Sequence, residues 1–522
     1  MNTPELTKRQ ITLIMAGVML TLLLAALDNT IVSTAMPKII RDLNGMEHYA
    51  WPFTAYMLCS TLILPISGKL ADIYGRKKIT LLGIAIFMIT SMWCGFSRNM
   101  VELSILRGFQ GIGGGICISS AFIIVSELFP LGQRAKYIGL ISSMFALASI
   151  MGPGAGGVIT DTLSWRWVFF VNIPLSIVAF LLIAKNLPML TQHDKERKID
   201  VIGVGIFVLA TFPLLFVISQ MGSRSILSFD MVALSVFSIA MFILFLRIEK
   251  RSREPLLSLH FFQEKIFSVS AIASSLGNMA VFGAAIYFPL YLQSVRGESA
   301  TKSGFIMMPM MVSMILASNV AGMLVSRFRR FKAVAVGGLF LSSLGMFCFG
   351  FFGAVSTTPA LIAFSSLAGI GLGLTFPIFM VAPQSLFPPQ QIGVVISLMQ
   401  FFRSLGGSIG SAIFGAILIA EMNSGMRGIS LGQLPASVAE LVKNPGVIAN
   451  PLKIATIREG ISPAILGDFD RFVALCVRSI SGSIETIFLV SAGLLLAALL
   501  LVLYSFNEQR VVRSLGRLKK RQ

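Results

Sequence analysis

Long apolar stretches recur along almost the whole of this chain, and they constrain its fold more than any other feature. Each is about 20 residues long, enough for a helix to cross a hydrocarbon layer of ~30 Å. Fourteen can be distinguished, at residues 11–35, 50–70, 79–97, 102–126, 137–160, 167–186, 200–220, 230–247, 266–292, 304–325, 333–353, 359–380, 392–420 and 484–506. Backbone groups inside lipid must satisfy their own hydrogen bonds, and the irregular glycines argue against the strands of a barrel. The sequence therefore predicts an all-α integral membrane protein.

Composition supports this interpretation. Of 522 residues, 55% are hydrophobic and only 12% are charged, which no water-soluble fold requires. An alternative for the first stretch is a cleaved signal peptide with Lys8 and Arg9 as its basic flank. Against this, the stretch is longer than a typical signal sequence, and no clear small-residue cleavage site follows it.

The net charge of +19 would suggest a nucleic-acid partner in a soluble protein, but here its placement indicates orientation. With the N-terminus in the cytoplasm, most Lys and Arg residues fall in cytoplasmic loops, as the positive-inside rule requires. An even number of spans returns the C-terminus to the same side. We therefore expect a multi-pass protein of the cell (inner or plasma) membrane with both termini cytoplasmic and no nucleic-acid partner. The basic tail either lies against anionic lipid or is a simple stop-transfer flank.

The stretch "GKLADIYGRKK", Gly68–Lys78, ends the second span, and "GMLVSRFRRFK", Gly322–Lys332, is a second copy of it. In this alignment Arg329 falls on Gly75. The repeat predicts two parallel six-helix halves, a known transporter construction, with two spans inserted between them. The expected domains are a first bundle at 1–199, a linker pair at 200–265, a second bundle at 266–508 that includes an outer loop at 421–483, and a basic tail at 509–522.

Several motifs together resemble the major facilitator superfamily. They are the loop motif "GKLADIYGRKK", the fourth-helix motif "LSILRGFQGIGGG" (Leu103–Gly115), the fifth-helix motif "IMGPGAGGVI" (Ile150–Ile159) typical of antiporters, and two stretches similar to the fourteen-helix drug:proton antiporters, "LDNTIVSTAMP" (Leu27–Pro37) and "WRWVFFVNIP" (Trp165–Pro174). Ser33 and Met36 depart from the first-helix pattern. The resemblance implies the major facilitator fold, with 14 transmembrane helices in two six-helix bundles plus two linker helices, and a multidrug efflux pump.

Asp28 is the first candidate for proton coupling. It lies about seventeen residues into the first helix, ~25 Å from the inner face, where a carboxylate is costly and by default functional. Burial favours its neutral form and would let it load and release protons. The alternatives are an acid held charged by a partner, or one that caps a broken helix.

Arg107 lies ~8 Å below the outer end of the fourth helix, a depth similar to that of Asp28. We expect the two charges to approach in one state and part in another, which would gate protonation. The resemblance also makes Arg107 part of the proton-coupling machinery. The alternative is a structural arginine that binds the backbone of the first helix.

Two groups of residues are candidates for gating. At the end of the second helix, Asp72 opposes the helix dipole and should seek a cationic partner. We expect this region to form an inner latch between the halves, or else a topology signal only. In the fifth helix, close-packing glycines would seal one side across the halves, or else form an ordinary packing face. The candidates are Gly68, Asp72, Gly75, Arg76, Lys77, Gly152, Pro153, Gly156 and Gly157.

A substrate cavity is expected between the halves at mid-membrane. The candidate lining residues are Asn29, Tyr56, Gln110, Asn278, Phe282, Tyr287 and Gln400. The methionine-rich stretch Ile306–Met314 either offers adaptable apolar surface or is ordinary packing. Arg403, an intramembrane base of the second half, could meet an anionic substrate or the bilayer interface.

The sequence predicts neither an enzyme nor a cofactor. It has no phosphate-binding loop of the Walker type and no nucleophile–base constellation, and its five cysteines and three histidines show no metal-ligand spacing. We predict a proton-coupled antiporter that exports amphipathic, often cationic, drugs or other lipophilic compounds. The alternatives are a dedicated exporter of a lipid, siderophore or metabolite, and a non-transporting scaffold or sensor. The expected partners are protons, a small lipophilic substrate and the lipid bilayer; nothing in the sequence identifies a periplasmic adaptor.

Overall fold

The computed structural model describes residues 7–43, 51–188, 200–220, 228–251, 260–298, 300–388, 391–425, 451–462 and 465–506, with isolated positions between 435 and 447 and at 508, 509 and 511. All regular secondary structure in these ranges is helical. Most of the predicted basic tail at 509–522, and most of the predicted outer loop before residue 451, lie outside the described residues.

The helices are named here in chain order. They are α1 (Lys8–Leu43), α2 (Trp51–Tyr74), α3 (Arg76–Phe96), α4 (Met100–Leu128), α5 (Leu131–Thr162), α6 (Trp167–Phe170), α7 (Asn172–Asn186), α8 (Val201–Gln220), α9 (Phe229–Glu249), α10 (His260–Gln263), α11 (Lys265–Ser294), α12 (Ala300–Phe328), α13 (Phe331–Phe352), α14 (Thr358–Gln384), α15 (Ile392–Gly425), α16 (Pro451–Glu459) and α17 (Leu466–Ser505), with a short 3-10 turn at Gly353–Val355.

The length and apolarity of these helices fit a membrane. Within the described ranges, thirteen helices are long and apolar enough to span it, and up to fourteen if Gln133–Ser149 and Gly154–Thr160 of α5 count as one bent span. The bend of 42° falls where Pro153 removes a backbone donor. Large apolar side chains also cover the outer surface, as Trp93 (56% exposed) and Phe96 (63% exposed) illustrate. A surface of this kind suits lipid, so the chain is a multi-pass membrane protein.

Two six-helix bundles repeat the same packing. In the first, α2 and α3 pack on α4, and α1 packs on α5 and α7; in the second, α12 and α13 pack on α14, and α11 packs on α15 and α17. The turns after α2 and α12 also correspond, because Gly75 (φ 91°) and Arg329 (φ 54°) both have a positive φ. A side chain makes that conformation costly, by about 1–2 kcal/mol. The second half thus keeps a residue of positive φ at the corresponding position even without glycine, and the predicted fold class is confirmed.

The halves meet along two seams, between α2 and α15 and between α5 and α12. The linker helices α8 and α9 pack on each other, with the Ser238 hydroxyl donating to the Ala210 carbonyl at 2.6 Å. Helix α8 also touches α2 and α15, so the pair lies beside the first seam. We call the end of the bundle that holds Lys8 and the α2–α3 turn, Arg76–Lys78, the basic end.

The last helix is longer than its hydropathy predicts. The sequence predicts a span at 484–506, whereas α17 starts at Leu466 and contains 40 residues. At ~1.5 Å per residue it is ~60 Å long, about twice the hydrocarbon thickness. Its first turns bury Phe469, Phe472, Cys476 and Ile480, three or four residues apart. These turns are amphipathic, and a search for apolar runs does not detect them. The helix therefore extends into the predicted outer loop.

Candidate functional site

A buried polar cluster lies inside the first bundle. The Arg107 guanidinium on α4 forms an ion pair with the Asp28 carboxylate on α1, and both side chains are 0% exposed. The amides of Gln110 and Asn172 donate to Asp28 Oδ1 at 3.0 and 2.9 Å. Arg107 Nη1 also donates to Gln110 Oε1 at 2.8 Å. Three helices, α1, α4 and α7, therefore fix one carboxylate and one cation in a site from which solvent is excluded.

The glycine-rich face of α4 brings Tyr56 of α2 against this cluster. A Cβ atom at Gly111 would overlap the Tyr56 backbone, and one at Gly114 would overlap its hydroxyl. The close approach puts the Tyr56 ring under the Arg107 guanidinium, whose central carbon lies 4.3 Å from the ring centroid. The Tyr56 hydroxyl donates to the Ala25 carbonyl at 3.2 Å. A cation over an aromatic face gains about 2 kcal/mol or more when desolvated, so Tyr56 helps to hold Arg107.

Asn172 is a member of the cluster that the sequence reasoning missed. Its amide joins Asp28 to the hydroxyl of Ser91 on α3 at 3.0 Å, and Ser91 in turn donates to the Phe169 carbonyl at 2.9 Å. The available signal was a single amide inside the apolar stretch "VFFVNIPL". An amide in such an apolar stretch is expected to face protein rather than lipid. The stretch does not indicate which polar residue Asn172 contacts.

A cavity of about 430 Å³ lies between the two halves beside the cluster. Helices α1, α2, α4 and α5 line one side of it, and α11, α12, α14 and α15 line the other. Asn29 and Tyr56 belong to its wall, and Asn29 Oδ1 accepts a hydrogen bond from Arg107 Nη2 at 3.1 Å. These two residues therefore connect the wall of the cavity to the buried ion pair.

The predicted substrate-binding residues divide into two groups. Those on the cavity wall are Asn29, Tyr56, Asn278, Phe282 and Gln400. Gln110 and Tyr287 are not on this wall. Gln110 belongs to the buried cluster, where it binds both Asp28 and Arg107. Tyr287 is buried against the Phe414 ring, with the centroids 6.3 Å apart. Sequence reasoning selected both because they carry polar groups within the spans, but it could not give the direction in which each side chain points.

Contacts across the halves close the cavity toward the basic end. The Ser119 and Ser397 hydroxyls lie 2.6 Å apart, and those of Thr61 and Ser404 2.7 Å apart. Gly68 lies so close to α15 that a Cβ atom there would overlap Ser397. Hydroxyl pairs and a missing side chain thus allow α2 and α4 to contact α15 directly.

Asp72 adds a further contact between the halves at the basic end. Its carboxylate accepts a hydrogen bond from the Val394 backbone N–H in the first turn of α15 at 3.3 Å. The positive end of α15 stabilises the charge that the negative end of α2 disfavours. The expected cationic partner is also present, because Arg76 Nη2 lies 3.4 Å from Asp72 Oδ1. Arg76 forms a second ion pair with Glu127 of α4, another residue that the sequence reasoning missed.

The other residues predicted at this end lie in the turn between α2 and α3 or just after it. Gly75 occupies a left-handed conformation that favours glycine. Lys77 lies in the first turn of α3, which begins at Arg76. The sequence suggested either a latch or a topology signal. The contact of Asp72 with α15 provides the geometry that a latch requires.

The glycines of α5 correct one expectation. The sequence predicts that Gly152 and Gly156 pack across the halves. Instead, Cβ atoms at these positions would overlap Thr30 and Thr34 of α1, in the same bundle. The start of α5 makes the cross-half contact, where Gly139 approaches the Ser318 backbone of α12. The face of α5 that carries Gly152 and Gly156 is thus turned toward α1, while Gly139 near the start of α5 faces α12. A Cβ atom added at Gly157 would meet no described neighbour within 4 Å, and the Pro153 side chain lies outside the described residues.

A profile of the Major Facilitator Superfamily matches residues 18–411, three quarters of the chain. The chain belongs to the major facilitator superfamily. It is 37% identical over 413 residues to the "Multidrug transporter protein MdtP" of Bacillus subtilis, covering 78% of this chain and 76% of the relative. It is 30% identical over 512 residues to "Multidrug resistance protein 3" of the same organism, covering 97% of each.

Solved structures of low sequence identity share the fold. The human organic anion transporter MFSD10 superposes with a TM-score of 0.61 at 15% identity, over 94% of this chain and 99% of that one. The proton:xylose symporter XylE superposes with a TM-score of 0.57 at 14% identity, over 80% and 90% of the two chains. The fold is therefore that of a major facilitator transporter.

Proposed function

We propose that this major facilitator transporter is a proton-coupled antiporter that exports drugs or similar lipophilic compounds by alternating access. Its chemistry is the movement of a proton and a substrate rather than the conversion of a substrate, so no enzymatic step is involved. In this proposal the basic end faces the cytoplasm, and the contacts described above close the cavity on that side.

The observation that carries the proposal is the buried ion pair of Asp28 and Arg107 beside the cavity. With Asp28 charged, the pair is neutral overall, and the carboxylate accepts hydrogen bonds from Arg107, Gln110 and Asn172. A proton on Asp28 would leave Arg107 as an uncompensated buried cation, which is strongly disfavoured, by about 3–5 kcal/mol in comparable pairs. Protonation of Asp28 would therefore favour a conformational change in which Arg107 moves to another partner.

Asn29 and Tyr56 would couple substrate binding to the ion pair of Asp28 and Arg107. Both contact Arg107, and both belong to the cavity wall, so a bound substrate and the proton would act on the same guanidinium. The driving force is sufficient for uphill transport. Each pH unit provides ~1.4 kcal/mol per proton, and 100 mV of membrane potential provides ~2.3 kcal/mol per charge.

The names of the relatives favour drugs as the cargo over a single metabolite. The mostly apolar cavity wall, with Phe282, Phe376, Met311 and Met314, also suits compounds of varied shape, because methionine repacks readily. A dedicated exporter of one lipid, siderophore or metabolite would show the opposite behaviour, with one compound transported and unrelated dyes ignored.

The test is dye efflux from proteoliposomes under an imposed pH gradient, comparing wild type with Asp28→Asn. Asp42→Asn is the matched control, because Asp42 also lies on α1 but is outside the cluster and accepts a hydrogen bond from Trp165 Nε1 at 2.8 Å. An asparagine oxygen can still accept that bond. We expect wild type and Asp42→Asn to move dye against its gradient, and Asp28→Asn to lose gradient-driven transport.

Two outcomes contradict the proposal. If wild type moves none of several unrelated lipophilic dyes, drug export is wrong. If Asp28→Asn transports uphill as well as wild type, the coupling proton binds elsewhere. Proton release on adding dye to the purified protein gives an independent measurement, and it should disappear in the Asp28→Asn variant alone.

A further inference from the structure

One cation on the cavity wall, Arg403, has no acidic partner among the residues that the structure describes. Arg403 of α15 lines the cavity, and its Nε donates to Gln400 Oε1 one helical turn away at 2.9 Å. No carboxylate in the described part of the chain forms an ion pair with it, and its two terminal nitrogens make no hydrogen bond to another described residue. A purely structural arginine would use those nitrogens, its strongest donors, on carbonyls or carboxylates.

Aromatic rings hold the guanidinium in place from both halves. Its central carbon lies 4.9 Å from the ring centroid of Phe376 on α14 and 5.7 Å from that of Phe145 on α5. The backbone carbonyl of Arg403 also accepts a hydrogen bond from Asn278 Nδ2 at 2.8 Å. The side chain is therefore positioned in advance, with its terminal nitrogens left for a ligand.

The charge of the cavity wall is one-sided. Among the described lining residues, Arg403 is the single charged one, and the rest are apolar or carry a hydroxyl or amide. Asp28 does not compensate for it, because Asp28 is buried, lies off the wall and is already paired with Arg107. In surroundings of low dielectric constant an unpaired cation attracts an anion strongly and repels another cation.

We propose that the central cavity binds lipophilic organic anions, with Arg403 pairing with a carboxylate or sulfonate while the aromatic and methionine side chains hold the apolar rings. The planar guanidinium suits such groups because it donates two parallel hydrogen bonds. This inference rests on the proposed function, since it names the charge of the exported compound. It also reverses the prediction from sequence that the drugs are often cationic.

Equilibrium binding to the purified protein in nanodiscs of neutral lipid tests the inference without any transport. The probes are 1-anilinonaphthalene-8-sulfonate, its uncharged parent N-phenyl-1-naphthylamine, and the cation ethidium, each corrected for binding to empty nanodiscs. We expect wild type to bind the sulfonate at least about tenfold more tightly than the parent, and ethidium most weakly.

The variants separate charge from packing. Arg403→Gln should reduce the preference for the sulfonate over its parent to less than about threefold, and Arg403→Lys should keep most of it. Arg403→Met is a second variant without the charge, and it keeps a long side chain over Phe376. It replaces Arg403→Gln if that variant is unstable. Retained binding of the uncharged parent shows that the cavity is intact. Arg327→Gln, at an exposed site at the basic end, is the charge-loss control and should match wild type.

The inference is overturned if wild type binds ethidium as tightly as the sulfonate, if it binds none of the three probes, or if the charge-free variants keep the preference. Its failure is distinct from that of the proposed function. Anion-selective binding without gradient-driven efflux refutes the antiport proposal alone, whereas efflux of dyes without anion preference refutes this inference alone.

Discussion

Gly393 of α15 should control how firmly the basic end closes. A Cβ atom placed there would lie 2.8 Å from Asp72 Cγ and 2.9 Å from Asp72 Oδ2, closer than ordinary van der Waals contact. In Gly393→Ala, either α2 and α15 must separate or Asp72 must swing away from the Val394 N–H. The first route overpacks the seam at about 1–3 kcal/mol, and the second loses a charged hydrogen bond of about 1.5–3 kcal/mol.

Either route weakens the closed state by about 2 kcal/mol, which is roughly a 30-fold change in the ratio of closed to open molecules. The assay is maleimide labelling of Ser397→Cys in a background without the five native cysteines. Ser397 is 0% exposed in the closed seam, so its cysteine should react only after the seam opens. We expect labelling from the basic end to be at least about tenfold faster when Gly393→Ala is added.

The matched control is Gly337→Ala on α13, where an added Cβ atom meets no described neighbour within 4 Å. It makes the same chemical change in a helix without touching the seam, and it should label at the rate of the parent. Equal labelling rates for Gly393→Ala and Gly337→Ala would refute the argument that the approach of Asp72 to α15 holds this end closed.

Three further predictions concern the first bundle. Arg107→Lys keeps the charge but loses the planar fork that reaches several partners, so proton-driven efflux from proteoliposomes should fall at least about tenfold; unchanged efflux would show that charge alone suffices. Asn172→Ala removes a donor to Asp28 and should cost about 1–3 kcal/mol, seen as a lower melting temperature of the purified protein; an unchanged melting temperature would contradict the hydrogen bond. Gly152→Ala should also lower the melting temperature, by overpacking worth about 1–3 kcal/mol, whereas Gly157→Ala should not; equal effects would contradict the α1–α5 contact.

The ion pair shows how far sequence reasoning extends. The constant rise of a helix placed Asp28 and Arg107 at similar depths, and the two side chains are in contact in the structure. The same arithmetic could not identify Asn172, because its meeting with Asp28 depends on how α7 is rotated about its own axis. It also could not distinguish Gln110, which points into the cluster, from Gln400, which lines the cavity.

At the basic end, one partner of Asp72 can be predicted from the sequence and the other cannot. Its position at the end of α2 predicts a need for positive charge, and Arg76, four residues later, is within the reach of sequence reasoning. The second source of positive potential is the start of α15, more than 300 residues away in the chain. No local pattern connects Asp72 with Gly393, so this contact required the packed structure.

The sequence by itself determined that the chain is helical, how many times it can cross a membrane, and that it is built as two similar halves. These features follow from local physical chemistry: the apolar length needed to cross lipid, the hydrogen bonding of the backbone there, and turn motifs that recur. Only the tertiary structure decided which polar side chains face one another, that α5 packs on α1 through Gly152, and that the cavity wall carries the charge of Arg403. These depend on helix rotation and on contacts between distant segments, which no stretch of sequence encodes alone.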